Sequence, residues 1–168
     1  SDRFILSKGH GCWGYYVLLR ELGFDPLLEG HPHLDLNNNV HWTTGSEGHG
    51  LPAGFGMAFA KKIQNKDSNV YVLMGDGELQ EGTTWETLLL AKKHQTSNLK
   101  VVVDFNKIQG SGFVDDILPV SSITNVAKEV GWSVSEVDGH NVNELNKVLS
   151  KKTEDPSIVI AHTIKGKG

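Results

Sequence analysis

The strongest constraint on how this chain can fold is a set of apolar runs that do not alternate with polar residues. Val70-Tyr71-Val72-Leu73-Met74, Val101-Val102-Val103 with its flanks, and Ile158-Val159-Ile160-Ala161 are all of strand length. A strand with one wet face alternates; a strand covered on both faces reads as a continuous run, the habit of parallel sheets. A weaker fourth run, Trp132 to Val137, alternates in part. Helical spacing appears between the runs: Leu51, Phe55, Ala58, Phe59 and Ile63, then Trp85, Leu88, Leu89 and Lys92 after Thr83-Thr84. Val126, Ala127 and Val130 follow a candidate cap at Thr124-Asn125, and Val142, Leu145, Val148 and Leu149 follow another at Asn141. Asp155-Pro156 breaks the chain before the last strand. Strands alternating with helices predict an α/β fold, a parallel sheet with helices on both faces and right-handed crossovers. Gly23 to Gly45 lacks periodicity, is rich in His, Asn and Pro, and reads as a long functional loop.

A length of 168 residues suits one domain, and no linker or repeat divides it, so 1–168 reads as a single domain. The chain opens almost at once into a glycine-rich segment and closes on Lys165-Gly166-Lys167-Gly168 without a terminating element, so it reads as part of a longer chain. A net charge of −4 gives no footprint for nucleic acid or an anionic membrane. No apolar stretch approaches the roughly 20 residues of a membrane span, and Ser1-Asp2-Arg3-Phe4 has no signal-peptide pattern. One cysteine, Cys12, precludes an internal disulfide; a cytoplasmic location is expected. The 19 glycines imply tight turns or close approaches of backbone to a ligand.

Gly75-Asp76-Gly77 directly follows one buried run and precedes a helix. Open α/β sheets bind ligands at the carboxyl ends of their strands, and the free N–H groups of the following helix favour an anion. The Asp76 carboxylate would repel a bare phosphate, a conflict that disappears if it holds a divalent cation bridging to the phosphates. The next strand ends at Asp104-Phe105-Asn106, which would bring Asn106 beside Asp76. A hard cation such as Mg²⁺ takes oxygen ligands, with one or two carboxylates plus phosphate oxygens. The carbonyl of Ile108 could complete the set. Taken alone, Gly-Asp-Gly is more often a turn than a site, and an Asn at a strand end is ordinary.

Larger blocks sharpen the reading. Gly75-Asp76-Gly77-Glu78-Leu79-Gln80-Glu81-Gly82 with Trp85-Glu86, followed by Asn106-Lys107-Ile108, resembles the cofactor motif of the transketolase family. Leu6 to Gly11, Gly30-His31-Pro32, Thr43 to Ser46, Val137 to His140 and Ala161 to Gly166 resemble the family in the same order. The similarity is greatest to the N-terminal subunit of split transketolases, in which two polypeptides carry the two halves. The resemblance implies the fold of a thiamine-diphosphate-binding domain, with Asp76, Asn106 and the Ile108 carbonyl on Mg²⁺, or on Ca²⁺ or Mn²⁺. It implies Gly75, Gly77 and His10 at the diphosphate, Gly45, Ser46 and Glu47 along the ring region, and His31 facing a sugar. His10 and His31 would act on substrate, and Glu81 and Glu86 would lie near an interface. The implied reaction moves a two-carbon ketol unit from a ketose to an aldose. The glutamate that activates this cofactor belongs to a pyrimidine-binding partner, and the implied assembly is a dimer of heterodimers.

Glu47 departs from the family, which usually has leucine there, and this leaves the usual sugar pair open. A deoxyxylulose-phosphate-synthase-like or 2-oxo-acid-processing enzyme keeps the same cofactor, and a non-catalytic subunit keeps only the fold. Of the other histidines, His49 reads as a supporting group and His140 as structural. Trp13, Tyr16 and Trp85 read as core or interface, and Lys61-Lys62, Lys92-Lys93 and Lys151-Lys152 as solvated.

Overall fold

The computed structural model describes residues 1–167, so Gly168, the last residue of the expected 1–168 domain, lies outside the described residues. In chain order the elements are β1 (Arg3–Leu6), α1 (Cys12–Glu21), α2 (Gly50–Ile63), β2 (Val70–Gly75), α3 (Gly82–Lys93) and β3 (Leu99–Phe105). A short hairpin, β4 (Ile108–Gln109) and β5 (Gly112–Phe113), leads into α4 (Val114–Ile117) and α5 (Ile123–Val130). The chain continues through β6 (Ser133–Asp138), α6 (Val142–Leu149) and β7 (Ser157–His162). Five strands form one wholly parallel sheet in the order β1-β2-β3-β7-β6.

The predicted α/β class and all four predicted strands are present. One face of the sheet, Ile5, Val72, Met74, Val101, Val103 and Ile160, is buried with Leu51, Ala58, Leu88, Ala91 and Ala127 of α2, α3 and α5. The other face carries α1, through Cys12, Tyr15, Tyr16 and Leu19 over Leu6, and α6, through Leu145, Val148 and Leu149 over Val159 and Ala161. The chain lays down β1, β2 and β3 in one direction, passes to β6 at the far edge, then returns to β7. Reversing direction obliges a right-handed crossover to put its helix on the opposite face, which is why α6 lies there. Between α1 and α6 that face is covered incompletely, and Tyr71, Leu73 and Val102 line an open groove of about 810 Å³.

Several local expectations need correcting. β1 and α1 escaped the sequence reading, although Cys12, Tyr15, Tyr16 and Leu19 show the helical i, i+3, i+4, i+7 spacing. On α3 the inward positions are Thr84, Thr87, Leu88 and Ala91, while Leu89 is 61% exposed. The threonine hydroxyls are satisfied locally, Thr87 donating to the Thr83 carbonyl at 2.7 Å and Thr84 to that of Glu78 at 2.8 Å, so burying them costs little. Thr124 and Asn125 lie inside α5 rather than capping it. Asn141 does cap α6, accepting from Asn143 and Glu144, but Val142 points outward. Trp13 is exposed while Tyr16 is buried. The lysine pairs are more than solvated: Lys62 donates to the His94 and Gln95 carbonyls at the end of α3, and Lys92 pairs with Asp155 at 2.6 Å.

Gly54 sets how closely α2 approaches the sheet, because a Cβ there would overlap the buried Val72 side chain of β2. Gly54→Ala gains about 1 kcal/mol of helix propensity, but overpacking a β-branched neighbour costs about 1–3 kcal/mol. A net loss of stability is expected, read as a lower midpoint in urea with an unchanged slope.

Candidate functional site

The parallel register brings the carboxyl ends of β2 and β3 level, Gly75 lying opposite Asp104. Asp76 therefore leaves β2 beside the point where Asn106 leaves β3. Asp76 is 2% exposed and its two oxygens accept from the N–H groups of Gly77, at 2.9 Å, and Lys107. Burial pushes its carboxyl above the usual range, against the pull of those N–H groups, and the neighbouring Asp104 pushes the same way. Among the described residues, Asp76 forms no ion pair. A buried carboxylate without a cationic partner suits a bound cation.

The oxygens available agree. The Asn106 side-chain oxygen accepts from the Ile108 N–H at 2.9 Å, and the Ile108 carbonyl is approached by the Lys165 ammonium at 3.4 Å. One carboxylate, one amide oxygen and one carbonyl form a hard donor set. Among the described residues there is no group of three or more His, Cys, Asp or Glu side chains that could hold a metal, so a thiolate- or imidazole-rich centre is not the kind of site present.

A cavity of about 290 Å³ lies above these strand tips. His10, His31, Gly45, Glu47, Gly75, Asp76, Gly77, Asn106 and Ile108 all line it. Of the residues singled out in the sequence, Ser46 does not: it is exposed beside the cavity. His49 is exposed at the start of α2 and also lies outside the lining, while Glu81 and Glu86 are on the surface. His33 pairs with Glu29 at 2.8 Å, and His140 accepts from the Ile164 N–H at 2.9 Å, the structural role expected of it.

Gly9 lets the long loop close on the strand tips. A Cβ there would lie 2.7 Å from His31 Cδ2, 3.0 Å from Thr44 Oγ1 and 3.2 Å from the Gly45 backbone nitrogen. The loop predicted over Gly23 to Gly45 folds back with one 3-10 turn, Leu36–Asn38, capped by the Asp35 side chain. It thereby delivers His31 and Gly45 to a turn from which they are distant in sequence. Burial lowers the pKa of His10 and Lys8, Lys165 and His31 add to the effect, while the Glu47 carboxylate opposes it.

Sequence reasoning missed the residues that hold the cavity together. Asp104 accepts from the Lys8 ammonium, the Thr163 hydroxyl and the Asn106 amide nitrogen. The last of these turns the Asn106 oxygen away from Asp104. Although burial pushes the other way, these donors hold the Asp104 carboxyl below the usual range. Glu78 is equally central, accepting from Ser7, Gly48 and Gly75. A signal for Asp104 existed: a carboxylate at the end of a Val-Val-Val run is costly unless paired.

Fold and strand-tip cavity together define an α/β cofactor-binding domain whose site stands at the carboxyl edge of a parallel sheet. The chain belongs to the family of the transketolase thiamine diphosphate binding domain, which it matches over residues 1–168. It is 38% identical to one of the subunits of the apulose-4-phosphate transketolase of Actinobacillus succinogenes, over 99% of this chain and 66% of that protein. It is 33% identical to the 6-deoxy-6-sulfo-D-fructose transketolase subunit SqwG of Clostridium sp., again covering 66% of the relative. Human transketolase is 36% identical over the whole of this chain, which spans 29% of that enzyme. Among solved structures, transketolase from Campylobacter jejuni superposes with a TM-score of 0.84 at 32% identity, covering 96% of this chain and 29% of that one. The chain thus spans just under two thirds of the split subunits and under a third of the full-length enzymes.

Proposed function

We propose that this chain is the diphosphate-binding half of a thiamine-diphosphate-dependent transketolase, a transferase completed by a separate pyrimidine-binding subunit in a dimer of heterodimers. In this reading residues 1–168 form one domain of a longer, cytoplasmic chain. The reaction is transfer of a two-carbon ketol unit from a ketose to an aldose. The observation that carries the reading is the single cavity shared by His10, His31, Glu47, Asp76, Asn106 and Ile108. The split relatives are named for apulose-4-phosphate and 6-deoxy-6-sulfo-D-fructose, so a ketose bearing a phosphate or sulfonate group is the donor class we assign.

Asp76, the Asn106 oxygen and the Ile108 carbonyl would hold Mg²⁺, with Ca²⁺ or Mn²⁺ suited to the same oxygens. The bound cofactor supplies an electron sink for attack on a carbonyl carbon. The rest is the work of this chain. Lys165 brings an ammonium group to the cavity wall that favours a diphosphate, while Lys8 is paired with Asp104. His10, whose pKa is lowered by partial burial and by its lysine neighbours, can donate to a phosphate or substrate oxygen from one ring nitrogen. His31, packed against Gly9 and Gly45 and itself exposed at the cavity mouth, offers a second donor to a sugar oxygen. A non-catalytic subunit would not require this convergence of a buried carboxylate, two imidazoles and an amide oxygen on one cavity.

The test is to co-purify the chain with its pyrimidine-domain partner and follow ketol transfer between a ketose phosphate and an aldose phosphate. Turnover dependent on thiamine diphosphate and a divalent cation is expected; a complex that binds no thiamine diphosphate defeats the reading. Glu47 bears on the alternative chemistry. Its carboxylate lines the cavity beside His10, and like charge there disfavours a 2-oxo acid, whose carboxylate adjoins the reacting carbonyl, more than a ketose whose phosphate lies at the far end of the sugar. Glu47→Leu is expected to raise the ratio of pyruvate to ketose-phosphate turnover by about tenfold, one unfavourable charge contact of about 1.4 kcal/mol. Competition assays with both donors measure that ratio.

A further inference from the structure

Glu78 is 3% exposed, and donors from two distant parts of the chain and from the start of its own turn converge on its carboxylate. Oε1 accepts from the Ser7 hydroxyl and from the Gly48 N–H at 3.0 Å, and Oε2 accepts from the Gly75 N–H at 2.8 Å. The Glu78 backbone is fixed too, its carbonyl accepting from the Thr84 hydroxyl at 2.8 Å and the Glu81 N–H at 3.2 Å. Among the described residues no cation pairs with this carboxylate, so its only counterweights are these three hydrogen bonds.

The donors are not arbitrary. Ser7 opens the turn that carries Lys8 and His10, Gly48 ends the loop that carries Gly45 and Glu47, and Gly75 opens the turn that carries Asp76 and Gly77. Each segment lines the cavity, yet the direct backbone contacts between the first and third run from the Ser7 and Lys8 N–H groups to the Leu73 carbonyl, within β2 and upstream of the third turn. Resting on the function proposed above, we propose that Glu78 is a positioning residue that ties these three loops into one preformed cofactor surface. Both of its oxygens are committed to protein donors, so it acts through the loops and not on the ligand. Only a carboxylate offers acceptors on both sides. An amide in its place turns an NH₂ group toward at least one N–H or O–H donor, losing a charge-assisted bond and opposing two donors.

The experiment compares Glu78→Gln, Ser7→Ala and the double variant with wild type, each as the complex with its partner subunit. Thiamine diphosphate affinity is measured by calorimetry at saturating Mg²⁺, with KM for cofactor and kcat from turnover. Glu78→Gln is expected to weaken thiamine diphosphate about 10–100-fold, the range for residues that orient direct ligands, with kcat at saturating cofactor within about threefold of wild type. Ser7→Ala removes one donor of three and folds more safely; it should weaken binding by about threefold to tenfold, the worth of one hydrogen bond. The double variant should be no worse than Glu78→Gln alone, because both changes break the same tie. Hydrogen exchange supplies a readout independent of ligand: the Gly48 and Gly75 amides are expected to be protected in wild type and to lose protection together in Glu78→Gln. Wild-type cofactor affinity in Glu78→Gln, additive effects in the double variant, or unchanged protection at Gly48 and Gly75 overturns the proposal. A wild-type complex that binds no thiamine diphosphate overturns the function reading instead, and exchange at Gly48 and Gly75 then still judges the tie.

Discussion

Asp76→Asn will abolish tight binding of thiamine diphosphate with Mg²⁺ while leaving the fold nearly as stable as wild type. The two halves of that expectation come from the same geometry. The carboxylate is the one anionic oxygen group in the donor set assigned to the cation, and substitution leaves Asn106 and Ile108 with neutral oxygens only. Losing a direct ligand should cost more than the 10–100-fold typical of supporting residues, so a fall of about 100-fold or more is expected. For the apoprotein the balance is different. Burial and the adjacent Asp104 both disfavour the charge of Asp76, and the amide is relieved of that cost. Against it stands one lost hydrogen bond, to Gly77 or Lys107, worth about 0.5–1.5 kcal/mol. The two nearly offset, and a thermal midpoint within a few degrees of wild type is expected. Calorimetry with the partner subunit reads the first quantity and differential scanning the second. Binding that survives in the variant removes Asp76 from the site.

This separation of roles explains what was legible in the sequence. The strands announced themselves because a parallel sheet covered on one face by α2, α3 and α5 needs apolar residues at Val70, Val72, Met74, Val101 and Val103. Their second-face neighbours Tyr71, Leu73 and Val102 are apolar also, and this filled in the runs. β1 escaped because four residues do not establish a period. The α3 helix misled because its inward face is partly threonine, with hydroxyls bonded to nearby carbonyls, which hydrophobic spacing cannot register.

The candidate site was legible where a residue type conflicts with its surroundings. A carboxylate between glycines at a strand tip raises a charge question that a cation would answer, and the family resemblance then extended the set to His10, His31 and the Gly45–Glu47 loop. What stayed hidden were residues defined by partners far along the chain. Lys8 and Asp104 are 96 positions apart, and Ser7 and Glu78 are 71 apart. No local pattern encodes such pairs; they appear only when parallel pairing of β1, β2 and β3 sets three strand tips side by side.

The largest loss of stability is expected from Asp104→Ala. Its carboxylate is the shared acceptor for the Lys8 ammonium, the Thr163 hydroxyl and the Asn106 amide, joining the turn after β1, the end of β3 and the segment after β7. Truncation leaves three donors without an acceptor, one of them charged. Breaking a fully buried pair costs about 3–5 kcal/mol; the Lys8 and Asp104 side chains keep 15% and 19% of their exposure, so about 2–4 kcal/mol is the fitting range. For a chain of this size that is a fall of about 5–12 °C in the thermal midpoint at pH 7. The pH dependence fixes the cause. The folded-state pKa of Asp104 is depressed by its donors, so its contribution is present above the unfolded value near 3.9 and lost as pH falls through the lower folded value. Wild type and Asp104→Ala should therefore differ most near neutrality and converge as pH falls through the depressed folded value. A gap that persists unchanged at low pH would mean the aspartate stabilises by packing rather than by charge. Because Asp104 also holds the Asn106 amide, cofactor affinity should fall with stability in this variant, whereas in Asp76→Asn the two part company.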